Sequence, residues 1–188
     1  PAAASAYATT RCCSCAGEIG LITCAGPPDC SCAGPAAPGV RHRGDPPADL
    51  DQDAGELDEA DRTHGVIPRI TARYPEAAVE DAYAIQAIWR DRMVASGRRL
   101  VGRKIGLTSK AMQQATGITE PDYGVMFDDT VYPSGSEIEA ARFSNVRIEV
   151  ELAFVLGKDL AGPNASIFDV LAATEYVVPA LEILSSRI

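Results

Sequence analysis

The chain has 188 residues, a net charge of −9 and a hydrophobic fraction of 46%. That length supports one domain with a sizeable core, and the acidic balance excludes a nonspecific nucleic-acid binder, which needs a basic face. No apolar run approaches the roughly 18 to 20 residues that cross a bilayer, so no membrane partner is expected, and the N-terminus lacks the basic stretch and apolar core of a secretory signal.

All six cysteines lie between Cys12 and Cys32, and a cysteine-free main body suits the cytoplasm. Residues 1–48 are rich in Ala, Gly, Pro, Ser and Cys and show no period beyond Gly20–Cys24, so they are expected to form a disordered leader. Cys12 and Cys15 have zinc-ligand spacing and could be completed by Cys30 and Cys32. The second pair is C-x-C, however, and Cys13 is left over. The folded domain is expected over residues 49–188.

Residues 45–61 are acidic, with Leu50, Leu57 and Ala60 at helical spacing and Gly55 interrupting. A solvated, weak helix is expected there, with the regular body starting near Thr63. The clearest helix follows Ala78, with Ala82, Ile85, Trp89 and Met93 three or four apart. Glu80 and Asp81 sit in its first turn, and Gly97 ends it. "LVGRKIGL" reads as a strand and "SKAMQQAT" as a short helix capped by Ser109 and ended by Gly117. "EPDYG" reads as a turn, and "VMFDDTVY" and the segment around "SEIEA" as short strands separated by "PSGS". A long strand is expected over Val146–Leu156, a helix near Ile167–Ala173 capped by Ser166, and a strand in "VVPALEILSSRI". Strands and helices do not alternate regularly, so the class is α+β, with a helical N-terminal part followed by a mixed, mainly antiparallel sheet.

Two strands carry unexpected charge. Glu149 and Glu151 lie on one face of Val146–Leu156, about 7 Å apart, with Ile148, Val150, Leu152 and Phe154 on the other. Alone, the pair fits an ordinary half-exposed strand. Glu182, flanked by Leu181 and Ile183 in a second apolar strand, also needs a partner. Buried carboxylates repel one another unless a cation compensates. The two histidines, His42 and His64, lie outside the strand-rich part. An all-carboxylate site for Mg²⁺ or Mn²⁺ therefore fits better than zinc.

"GRKIGLTSKAMQ", "EPDYG", "RIEVELAFVLGKDLAGPN" and "VVPALEILSSRI" together resemble the hydratase/decarboxylase branch of the fumarylacetoacetate hydrolase superfamily, over about Ile67 to Ile188. The resemblance implies that the sheet is an incomplete β-roll of that family's type. It also implies that residues 49–188 form a partial catalytic domain lacking the family's C-terminal part. Glu149, Glu151 and Glu182 then match the metal ligands, and Lys104 the active-site lysine that moves protons. Asp122 is a second proton-carrying candidate, otherwise a turn aspartate capping its own backbone. Arg103 and Arg147 are expected at the surface.

The implied activity is hydration of a 2-oxo-alkenoic (2-hydroxy-dienoic) acid, 2-oxo-hept-4-ene-1,7-dioate first, in meta-cleavage catabolism of aromatics. The full-length protein is expected to be a homo-oligomer. The alternatives are decarboxylation of a vinylogous 2-oxo acid at the same site, C–C hydrolysis, or an inactive fragment.

Overall fold

The computed structural model describes residues 8–11, 21–24 and 49–188. Helix α1, Leu50–Thr63, starts where the Asp49 side chain accepts a hydrogen bond from the Gln52 N–H at 3.0 Å, and ends at His64, in the left-handed region at φ +57°. It is not only a solvated helix preceding the body. Asp53, Ala54, Leu57 and Ala60 are all buried, because spacings of three and four put them on one face. Asp53 is 0% exposed, and Arg73 of helix α2 (Ile70–Arg73) meets it at 2.7 Å. Burial nevertheless holds the Asp53 carboxyl above its ordinary range against that attraction.

Helix α3, Val79–Ala95, packs on α1. Ala54, Leu57 and Ile85 form their shared core, lined by Ile67, Ile70, Ile88, Trp89 and Ile188. Ile85 and Met93 face inward as expected, but Ala82 is exposed. Asp81 takes the buried place beside it and accepts from the Ala78 N–H at 2.9 Å, so the cap, rather than the alanine, sets the first turn.

Strand β3 spans Leu100–Gly106 and helix α4 Lys110–Thr116, with Ser109 as cap and Gly117 at φ +72°. Strand β4, Asp122–Phe127, starts inside the segment read as a turn, because Asp122 to Gly124 already pair with Gly106 to Lys104. The strand expected around "SEIEA" does not form. Only Ile138 is half-buried in an otherwise exposed, irregular stretch from 133 to 139, too little apolar burial to order a strand. Strand β5 is Arg147–Leu156, helix α5 is Ile167–Ala173 with a reciprocal Ser166–Asp169 cap, and strand β6 is Thr174–Leu184.

Two short strands precede these in the chain, β1 (Ala8–Arg11) and β2 (Leu21–Cys24). The sequence shows a period at the second and none at the first. The proposed Cys12, Cys15, Cys30 and Cys32 zinc set lies outside the described residues. One six-stranded mixed sheet results, in the order β1-β6-β5-β2-β3-β4. The pairs β5–β6, β3–β4 and β2–β3 are antiparallel, and β1–β6 and β2–β5 parallel. β1 pairs only with Leu181–Leu184, so Pro179, which cannot donate, lies beyond that pairing on the β1 side of β6. The edge strands β1 and β4 come into contact, which means that the sheet curls on itself. Among the described residues no helix is long and apolar enough to cross a membrane.

Replacing Ile85, 2% exposed between α1 and α3, by Ala is expected to cost about 2 to 4 kcal/mol. A urea unfolding midpoint measured against the unaltered chain checks this.

Candidate metal centre

On β5 the usual pattern is inverted. Ile148, Val150 and Leu152 are 65%, 66% and 46% exposed, while Glu151 and Ala153 are 1% and 0% exposed and Glu149 is half-buried. The two glutamates are therefore not a solvated face; the carboxylates look inward and the aliphatics outward. β6 repeats the inversion, with Glu182 1% and Ala180 2% exposed but Leu181 44%.

Register then brings the acids together. Glu149 stands directly opposite Glu182, and Glu151 opposite Ala180. One oxygen from each of the three carboxylates lies within 4.8 Å of the others. Like charges facing across strands repel, and burial makes the repulsion worse. The compensating charge is Lys104, 3% exposed on β3. Its ammonium pairs with Glu151 Oε1 and with Glu182 Oε2, the latter at 2.5 Å. In a flat sheet, three strand spacings of about 4.8 Å would hold β3 and β6 roughly 14 Å apart. The Lys104–Glu182 pair thus depends on the curl. Ala153, Ala180 and Met126 pack beside the cluster on the same face.

One ammonium does not balance these carboxylates. Glu151 Oε2 is buried and has no hydrogen-bond partner among the described residues. Burial, and then the neighbouring Glu182, pushes the Glu151 carboxyl up to about 7 despite Lys104. The donor set is oxygen-only, converging and under-compensated, which fits a hard divalent cation.

Asp122 lies in register with Gly106, and Gly124 with Lys104, so Asp122 shares the inner face with Lys104. Arg147 is exposed, as expected, and Arg103 half-buried. A surface hollow of about 500 Å³, lined by the 158–165 loop and α5, includes none of the site residues. Sequence reading missed Tyr83. Its ring stacks on Tyr123 at 4.4 Å, and its hydroxyl accepts from the Tyr123 N–H at 3.4 Å, next to Asp122. Burial and then the Asp122 charge hold its phenol above the ordinary value, against a backbone hydrogen bond at Tyr123. The only trace in the sequence is an aromatic on α3 and another in "EPDYG"; nothing local says that they meet.

No family profile matches the chain. It is 53% identical over 134 residues to the 2-oxo-hept-4-ene-1,7-dioate hydratase of Escherichia coli, an alignment covering 71% of this chain and 50% of the relative. This similarity supports the hydratase/decarboxylase branch of the fumarylacetoacetate hydrolase superfamily. The 2-keto-4-pentenoate hydratase of Paraburkholderia xenovorans (strain LB400) is 42% identical over 142 residues, 76% of this chain and 53% of that one. The chain thus spans about half the length of these hydratases. Among solved structures, 4-oxalocrotonate decarboxylase from Pseudomonas putida G7, complexed with magnesium and adipate, superposes with a TM-score of 0.68 at 30% identity, over 78% of this chain and 56% of that one. Its complex with calcium and acetate gives 0.71 at 32%. The shared architecture is one of helices and mainly antiparallel strands.

The raised Glu151 carboxyl predicts a pH dependence. Its folded value, about 7, lies above the ordinary 4.5. The stability linked to it is therefore complete below about pH 4.5 and is lost as pH rises through 7. In buffer with chelator, the urea midpoint of the chain should fall between pH 5 and 8. Glu151→Gln should flatten that fall.

Proposed function

We propose that this chain carries the cation-holding part of a divalent-metal-dependent hydratase. Its substrate would be a 2-oxo-alkenoic (2-hydroxy-dienoic) acid, 2-oxo-hept-4-ene-1,7-dioate first. The observation that carries the proposal is the convergence of Glu149, Glu151 and Glu182 on the inner face of a chain 53% identical to a hydratase of that substrate. The curled sheet, with edges β1 and β4 in contact, supports a β-roll of the family's type.

In this reading the three carboxylates hold Mg²⁺ or Mn²⁺. When bound, the ion supplies Lewis-acid stabilisation of the negative charge that develops on the 2-oxo group. Lys104 and Asp122 are the proton carriers. One removes a proton from C3 and the proton is returned at C5, which moves the double bond into conjugation with the 2-oxo group. Water then adds at C4, and C3 is reprotonated.

Decarboxylation is the second reading, favoured by the solved decarboxylase structures, since the same dienolate can accept the electrons released with CO₂. Supplied with Mn²⁺ and the dienol, the chain should consume dienol absorbance without releasing CO₂. Matching CO₂ release would move the assignment to the decarboxylase. Glu149→Gln should weaken Mn²⁺ binding at least about tenfold by calorimetry; unchanged affinity would remove Glu149 from the ligand set.

A further inference from the structure

We infer that Lys104 is a tethered cation that competes with the divalent ion for the carboxylate cluster. Loading the ion then turns the ammonium out of the cluster and over Gly124, towards Asp122. The inference rests on the cation site proposed above and adds what that site does to Lys104.

The Lys104 ammonium touches Glu151 Oε1 and Glu182 Oε2, two of the carboxylates that the ion needs. The three carboxylates place their converging oxygens within 4.8 Å of one another, a space of one cation. The ammonium lies 2.5 Å from Glu182 Oε2, and a divalent ion held at about 2.0 to 2.6 Å from the oxygens that the ammonium touches would sit within roughly 5 Å of it. Two cations that close in a buried site repel strongly. One must leave, and only the lysine has a flexible stem on which to pivot.

The structure also has a place for it to go. Gly124 is the residue directly across from Lys104 on β4. Among the described residues a Cβ built on Gly124 meets nothing within 4 Å, so this face beside the lysine is open. Asp122, two residues away on the same face, is the diagonal neighbour of Lys104, roughly 7 to 8 Å off along such a ladder and within reach of a long side chain. Its carboxylate offers the ammonium an opposite charge there. The ion would thereby exchange the partners of the proton-carrying residue at the moment the site is loaded.

The test is Mn²⁺ binding by calorimetry on the chain and on three variants. Lys104→Met should bind Mn²⁺ at least about tenfold more tightly. Gly124→Val fills the open space with a strand-favouring residue and should bind more weakly, because the ammonium has nowhere to turn. The double variant should bind as tightly as Lys104→Met, since without the ammonium the space no longer matters. Reductive methylation read by mass spectrometry should label Lys104 faster with Mn²⁺ than with chelator. Unchanged or weaker binding in Lys104→Met, or the same loss from Gly124→Val in both backgrounds, overturns the inference. If Lys104→Met does not fold, Gly124→Val that binds normally, or labelling that Mn²⁺ does not change, overturns it as well. A chain that binds no Mn²⁺ at all defeats the proposed function too, whereas equal binding by all four proteins defeats this inference alone.

Discussion

The buried charge cluster of Lys104, Glu151 and Glu182, with Glu149 at its margin, is the constraint around which the sheet is arranged. Taking such groups out of water is costly, and pairing recovers the cost only when geometry is good. Here the geometry comes from three strands distant in sequence. β5 and β6 supply the acids through their antiparallel register, and β3 supplies the base from across β2. A sheet that did not curl would leave the carboxylates facing each other without Lys104.

The rest of the inner face is consistent with that demand. Small residues, Ala153 and Ala180, flank the acids and leave room for their side chains and for the lysine stem. The apolar core proper is divided, one part under Met126 on the sheet and another between α1 and α3. The helical pair repeats the motif of the site on a smaller scale, since buried Asp53 is met by Arg73 from a neighbouring helix. Arg73 is exposed and holds Glu56 as well, drawing that carboxyl down to about 2. That arrangement anchors α2 to α1, whereas the cluster in the sheet is sealed and short of positive charge.

Much of the site could be read from residue order. Glu149 and Glu151 two apart, and Glu182 between Leu181 and Ile183, announce charge in apolar strands. That they face inward could not be read, because alternation gives two faces without saying which one is covered. The strand pattern even favours the wrong answer, since Ile148, Val150 and Leu152 would ordinarily be the buried set. Helices with explicit caps, at Ser109, Ser166 and Gly117, were legible to within a residue or two. What failed was tertiary in origin. Asp53 is buried because Arg73 arrives from elsewhere, Asp122 is in a strand because Gly106 pairs with it, and Tyr83 meets Tyr123 across about forty residues.

The inverted pattern of β5 also bears on how this protein folds. Sliding β5 by one residue against its neighbours would turn Ile148, Val150 and Leu152 inward and release the glutamates to water. Side-chain burial alone would favour that alternative, each aliphatic gaining about 1.5 to 3 kcal/mol when fully covered. The working arrangement is therefore locally frustrated, with a competing trap one step away on the folding landscape. The ammonium of Lys104 rewards only the correct alignment, so the side chain that neutralises the carboxylate cluster also acts as a proofreader of strand pairing.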